Sequence, residues 1–290
     1  MILQTPENIP MKFAITASDP FLGVFESLVH AGWQPLKLFT TLQNSKAVIE
    51  YAQRLAIDVQ FSRMDTTDLS SLAAQGCNML VVASYDWRIP DWHPYLQYAI
   101  NFHPSPLPYG RGPSPLIHAI LEGRQSWGVT CHKIAPDFDT GEMLDAENFP
   151  LTDDESYERI NLKSQLAAKK LADRVALNFL GLWNNARPQV DGTYFRQWNN
   201  DTRTINFSDK VSDILRKVRA FGSLESLASV NGVTVYVRRA VGWVEVHELN
   251  PGILIHRDNF TLLVTAQDGY IGIIEWSLLD QNASIGKIGR

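Results

Sequence analysis

Apolar positions along the first 90 residues come in two rhythms. Short runs with little polar interruption read as buried strands: KFAIT at 12–16, PLKLFT at 35–40, DVQFS at 58–62 and CNMLVVAS at 77–84. Between them lie stretches of helical spacing. PFLGVFESLVHAG at 20–32 sets Phe21, Val24, Phe25 and Leu28 on one face, SKAVIEYAQRLA at 45–56 is amphipathic, and DTTDLSSLAAQG at 65–76 carries a third helix. Strands alternating with helices predict an α/β fold, a doubly wound Rossmann-like mostly parallel sheet. Its crossovers are expected to be right-handed, with ligands beyond the carboxyl ends of the strands.

YAINF at 98–102 is a further strand, and it runs into HPSPLPYGRGPSP, a loop whose prolines fix φ and whose glycines permit close backbone approach. PLIHAILEG at 115–123 reads as a helix, SWGVTCHKI at 126–134 as a strand, and FDTGEMLDA at 138–146 as a loop entering a strand. The span 153–183 predicts one long helix with Asp153 or Asp154 as its cap. After RPQVDGTYFRQWNNDTRT the texture changes. An amphipathic helix at 208–221 is followed by VTVYVRRA, GWVEVHE, GILIHRD, FTLLVTA and YIGIIEWS, separated by Gly, Asn and Asp, which predicts a small antiparallel OB-like β-barrel. The expected division is a catalytic domain at 1–187, a linker at 188–204 and the barrel domain at 205–290.

Composition narrows this. With 290 residues, 45% hydrophobic and 20% charged, the chain is neither wholly disordered nor collagen-like nor a coiled coil. The net charge of −5 sits in the first 200 residues, and residues 201–290 balance ten basic against ten acidic side chains, so bulk nucleic-acid binding is disfavoured. The start, MILQTPENIPMKFAIT, lacks a basic stretch leading into a long apolar run, and no run of about 18 apolar residues occurs, so no membrane segment and a cytoplasmic location are expected. Cys77 and Cys131 lie in apolar stretches and read as small buried side chains, with no spacing for a metal site or a disulfide framework. The first turn, TASDPFLG, lacks the glycine fingerprint of a dinucleotide site.

Three residues carry candidate chemistry. Asn101 and His103 are two apart at a strand end, so their side chains point the same way, at the expected ligand edge. Asp139 lies 36 residues after His103, in a D-T-G turn. An amide, an imidazole and a carboxylate on one edge suit acyl transfer to an amine. The amide can donate to a carbonyl oxygen gaining charge, the imidazole can donate when protonated or accept a proton, and the carboxylate can orient the imidazole or pass protons. His30, His93, His118, His132, His247 and His256 read as ordinary core or solvated histidines.

The stretch N-F-H-P-S-P-L-P-x-G-R-G-x-x-P, followed by W-G-V-T-C-H-K and D-T-G-E-M-L, closely resembles the 10-formyltetrahydrofolate-dependent formyltransferases. The match is densest over 78–146 and reaches about 183, and TINFSDKVSDILRKVRAFG, N-P-G-I-L and D-G-Y-I resemble the C-terminal domain found in some members. The resemblance implies Asn101, His103 and Asp139 as catalytic residues, 10-formyltetrahydrofolate as donor, and no metal. It implies a folate pocket formed by Tyr85, Asp86, Trp87, Arg88 and Ile89, helped by Phe138 and Thr140, and an acceptor site lined by Ser105, Pro106 and Leu107 with Arg111 and Gly112 at its rim.

One departure bears on the acceptor. The tRNA-formylating members resemble one another in a long basic loop after the second strand, whereas here TTLQNSK passes straight into a helix. Formyl transfer to a small-molecule amine is therefore the leading expectation. Methionyl-tRNA formylation, with a basic patch around Lys210, Arg216, Lys217 and Arg219, is the alternative. Hydrolysis of the donor would use the same three residues, and a non-catalytic folate-binding role is disfavoured by their joint presence.

Overall fold

The computed structural model describes residues 11–279, so the N-terminal stretch before Met11 and the tail after Leu279 lie outside the described residues. Its strands are β1 (Lys12–Thr16), β2 (Gln34–Phe39), β3 (Asp58–Gln60), β4 (Met79–Val82), β5 (Tyr98–His103), β6 (Ser126–Lys133), β7 (Met143–Pro150), β8 (Ser226–Val230), β9 (Val233–Val244), β10 (Leu254–Arg257), β11 (Leu262–Thr265) and β12 (Gly269–Ser277). Its helices are α1 (Leu22–His30), α2 (Lys46–Arg54), α3 (Thr66–Ala74), α4 (Pro115–Leu121), α5 (Tyr157–Leu177), α6 (Phe179–Asn184), α7 (Asn200–Arg203) and α8 (Val211–Phe221). The chain forms two compact units. One comprises the residues up to Arg111 with Gly128–Phe149 and Lys163–Tyr194; the other comprises Gly112–Trp127, Pro150–Leu162 and the residues from Phe195 on.

In the first unit seven strands run in the order β3-β2-β1-β4-β5-β6-β7. The pairs from β3 to β5 are parallel and β6 is antiparallel to β5, which is the doubly wound, mostly parallel sheet the alternation predicts. Strand alternation splits the core between two faces. Phe13, Ile15, Val81, Ile100 and Phe102 pack with Phe25 and Leu28 of α1 and Leu171 and Val175 of α5. Ala14, Leu80, Val82 and Ala99 pack with Leu69 and Leu72 of α3. Burying one such large apolar side chain contributes on the order of 1.5–3 kcal/mol. Against that gradient Asn101 and His103, continuing the Ala99 row of β5, are costly placements unless they are partnered.

The structure differs from the sequence expectation at several elements. The long helix is two, α5 and α6, because Asn178 adopts φ −139° and ψ 37° and caps α6 instead of continuing α5. Neither Asp153 nor Asp154 caps α5. Ser156, beside its first residue, accepts from Arg159 N at 3.3 Å, while Asp154 pairs with the Arg159 guanidinium at 3.2 Å. The 188–204 stretch contains the α7 turn, and its Gln189 and Thr193 side chains are hydrogen-bonded to loops of the first unit.

The second unit carries a five-stranded antiparallel sheet in the order β10-β11-β12-β9-β8. VTVYVRRA and GWV form one strand, β9, and SLASV forms β8, for which the strand pattern held no expectation. Helix α8 buries Val211, Ile214, Val218 and Phe221 and is the amphipathic helix expected there. Among the described residues no helix is long and apolar enough to cross a membrane.

Candidate active site

The site grows from the antiparallel pairing of β5 with β6. Asn101 stands opposite His132 and His103 opposite Thr130, and opposed residues of an antiparallel pair share a face. Four polar side chains therefore stand together on a row that elsewhere holds core. Thr130 secures the chain beyond β5: its Oγ1 donates to Ser105 O at 2.8 Å and accepts from Leu107 N at 3.0 Å.

Asp139 joins this quartet from the β6–β7 loop. Its backbone sits in the left-handed region at φ 57°, a conformation aspartate tolerates better than most residues. Two residues on, Gly141 passes against the Lys133 carbonyl so closely that a Cβ would meet the oxygen at 1.8 Å, so no side chain fits. The turn delivers the carboxylate to three partners. Asn101 Nδ2 donates to Asp139 Oδ1 at 3.3 Å, and that oxygen is 3.5 Å from His103 Nδ1 and 3.6 Å from His132 Nε2.

Hydrogen-bond partners assign the rings. A carbonyl only accepts, so His103 Nε2 donates to Gly110 O at 2.9 Å, which leaves Nδ1, facing Asp139, as the atom that gains or loses a proton. His132 Nδ1 donates to Lys133 O at 2.7 Å, so its Nε2 accepts from Asn101 Nδ2 at 3.2 Å. Burial, the largest influence, pushes the His103 pKa below the usual histidine value, with the His132 ring adding to it and the Asp139 charge and Gly110 carbonyl opposing it. A buried imidazole with a carboxylate and an amide in reach can hold a proton, pass one on, and donate to an oxygen that gains charge.

The other candidate residues form two groups. Tyr85 Oη accepts from Met64 N at 2.7 Å, and its ring meets Trp87 edge-on at 5.3 Å. Arg88 crosses to the Asp139-bearing loop, where it donates to Pro136 O at 2.8 Å and lies 5.9 Å from the Phe138 ring, so the loops of Tyr85–Ile89 and Phe138–Thr140 are tied together. Asp86 is exposed, Ile89 packs on the α3-side core, Phe138 is exposed, and Thr140 turns back to donate to Asp137 O at 3.0 Å. Ser105 is fully buried, and its hydroxyl has no hydrogen-bond partner. Leu107 is buried, Pro106 half-buried, and Gly112 buried at φ 98°. The Arg111 guanidinium is engaged within the first unit, its Nε donating to Gln189 Oε1 at 2.9 Å.

Thr130, His132 and Gln189 escaped the sequence reading. His132 is taken there as an ordinary histidine, although Thr130 and His132, alternating with buried Val129 and Cys131, repeat the spacing of Asn101 and His103. Gln189 lies in the stretch read as a linker, and no local pattern marks it. Among the described residues no group of three or more His, Cys, Asp or Glu side chains is arranged to hold a metal ion.

The chain thus has a doubly wound α/β unit with a polar cluster at the carboxyl edge of its sheet and a second unit with an antiparallel sheet. Family models for formyl transferase and for the formyl transferase C-terminal domain match residues 36–175 and 198–286. Together they match most of the chain, which belongs to the formyl transferase family. The chain is 31% identical over 195 residues to the mitochondrial methionyl-tRNA formyltransferase of Mus musculus, covering 60% of this chain and 49% of that protein. It thus spans about half the length of the mitochondrial relatives it matches. It is 26% identical over 286 residues to the methionyl-tRNA formyltransferase of Hahella chejuensis, covering 93% of this chain and 90% of that one. Among solved structures, the N-formyltransferase from Helicobacter canadensis in complex with folinic acid and dTDP-3-aminofucose matches with a TM-score of 0.68 at 17% identity, covering 93% of this chain and all of that one, a likeness of fold.

Proposed function

We propose that this chain transfers a formyl group from 10-formyltetrahydrofolate to the nitrogen of a primary or hydroxyl-amine on a small molecule. The observation that carries the reading is the convergence of Asn101, His103 and Asp139, with the carboxylate 3.3 Å from the amide and 3.5 Å from the imidazole. The amine lone pair attacks the formyl carbon and the carbonyl oxygen becomes an oxyanion. Asn101 Nδ2, which at rest donates to Asp139, turns a hydrogen to that oxygen, and His103, neutral at rest, becomes a second donor once its Nδ1 takes up a proton beside the Asp139 carboxylate. Asp139 takes the proton the amine sheds, directly or through water, and returns it to N10 as tetrahydrofolate leaves. His132 fixes the Asn101 amide by accepting one of its hydrogens.

In this reading Tyr85, Asp86, Trp87, Arg88 and Ile89 cradle the pterin with Phe138 and Thr140, and the Arg88 bond to Pro136 O keeps the two sides of that cradle at a fixed spacing. Ser105, Pro106 and Leu107 line the acceptor side, with Arg111 and Gly112 at its rim. The acceptor assignment rests on charge. The connection from β2 to α2, residues 40–45, is short and holds no lysine or arginine. The α8 cations are engaged on their own unit: Lys217 Nζ donates to Thr204 O at 2.8 Å, Arg219 Nη2 to Asp153 O at 2.9 Å, and Arg216 pairs with Asp213 at 3.3 Å. A tRNA partner draws its affinity from cations free to meet phosphates.

The test is turnover of 10-formyltetrahydrofolate with a panel of amino sugars, ornithine-type amines and hydroxylamines, beside charged initiator tRNA, at about 0.15 M salt. Amine-dependent release of tetrahydrofolate is expected, with the tRNA arm near background. Efficient formylation of the tRNA would replace the small-molecule acceptor, and formate release without any amine would make water the acceptor.

A further inference from the structure

The stretch after α6 reaches both partners of the His103–Asp139 pair, and neither contact is explained by binding a substrate. On the Asp139 side, the single amide nitrogen of Gln189 donates to the carbonyls of Asp139 and Gly141, at 2.8 and 2.7 Å. These are the carbonyls flanking the left-handed Asp139 turn. On the His103 side, Thr193 Oγ1 accepts from Gly110 N at 2.8 Å, and the Gly110 carbonyl in turn accepts from His103 Nε2 at 2.9 Å. Gln189 is itself aimed by Arg111, whose Nε donates to Gln189 Oε1 at 2.9 Å. Arg111 is pinned along its length. Its backbone N donates to Thr193 O at 3.0 Å, and its guanidinium lies over Gly192, where a Cβ would come within 2.3 Å of Arg111 Cζ.

We infer that Gln189 is a positioning residue: aimed by Arg111, it holds the Asp139 turn in the register that sets the carboxylate beside His103 Nδ1. This rests on the proposed pairing of Asp139 with His103 and adds to it the part that fixes their separation. Both hydrogens of the Gln189 amide are committed to the turn and its oxygen to Arg111, so the side chain has one orientation available. A left-handed aspartate without such bonds relaxes readily into other backbone regions. A carboxylate displaced by about 1 Å loses much of its hold on a neighbouring ring. Arg111, at the rim of the acceptor side, thereby also aims this strap.

The test reads the pair directly and needs no acceptor. The histidine rings of the full chain are followed by NMR through a pH titration, with His103→Ala and His132→Ala assigning the two buried rings. Asp139, the His132 ring and the Gly110 carbonyl are the groups that face His103. Asp139→Asn is expected to move the His103 midpoint down by about one pH unit or more, as loss of a close opposite charge does. Gln189→Met, which keeps the bulk and removes both donors, should move it in the same direction by a smaller amount. Calorimetric binding of 5-formyltetrahydrofolate should stay within about threefold of wild type, a change of well under 1 kcal/mol. Should Gln189→Met fail to fold, Gln189→Asn, one methylene too short to reach both carbonyls, serves in its place with the same expectation. A wild-type His103 midpoint in the Gln189 variant, with the Asp139→Asn midpoint shifted, overturns the role of Gln189 alone. An unshifted midpoint in Asp139→Asn overturns the pairing itself and with it the proposed chemistry.

Discussion

His103 is almost wholly buried, with the Gly110 carbonyl at one ring nitrogen and the Asp139 carboxylate at the other. In the proposed chemistry each of the three residues acts on charge that exists only in transit. Asn101→Ala, His103→Ala and Asp139→Ala are expected to cut turnover by about 10²-fold or more each, with melting temperatures near wild type, as steady-state rates and thermal melts will check. Burial also gives His103 a thermodynamic signature. Its folded pKa lies below the unfolded value, so as pH falls through about 6.5 the unfolded chain takes up the proton first. The native state therefore loses stability on that side, and the loss levels off below the folded value. Urea unfolding between pH 7 and 5 should show a smaller decline for His103→Asn than for wild type, and parallel slopes would contradict the buried, pKa-depressed ring. At this scale the amino-acid string singled out Asn101, His103 and Asp139, which the structure brings together, because they sit in one motif. It did not reveal His132, whose part depends on cross-strand register, and register is set by pairing partners distant in sequence.

Elements were legible where the local pattern was strong and unclear where tertiary contacts decided. The buried run around β4 and the amphipathic faces of α2 and α8 place those elements nearly where they form. The break at Asn178 did not show, because a single residue outside helical φ and ψ interrupts an otherwise continuous helical pattern. The β8–β9 hairpin carried a signal that went unused. Asn231 and Gly232 both have positive φ, 49° and 78°, the arrangement an Asn-Gly pair between apolar runs favours, with Val230 paired to Val233. The β6–β7 loop is the element on which the site depends most. A methyl at Gly141 would meet the Lys133 carbonyl, which is backbone and cannot step aside cheaply. Gly141→Ala is expected to lower stability by at least about 2 kcal/mol and to move Asp139 out of reach of His103, as chemical denaturation and the NMR titration will measure. A variant with wild-type stability would show that the loop reaches its position by another route.

For the whole molecule, the motif from Asn101 to Leu144 carried the family, and the strand–helix alternation carried the fold. What remained hidden is the work of residues 189–193. Hydrogen bonds from Gln189 to carbonyls 48 and 50 residues away leave no local trace, so a stretch without periodicity read as a linker. Charge, by contrast, is a property of the whole chain: the proposal of a small acceptor rests on a net −5 and on the α8 cations engaged at home. The proposed service of the β5 and β6 site to a formyl-folate donor does not depend on which acceptor follows. Isothermal titration of the full chain with 5-formyltetrahydrofolate, a stable relative of the donor, tests it most directly. Saturable binding at one site per chain is expected, with a Kd below about 100 μM, a free energy stronger than roughly −5.5 kcal/mol. No saturable heat with ligand at about 1 mM would contradict it.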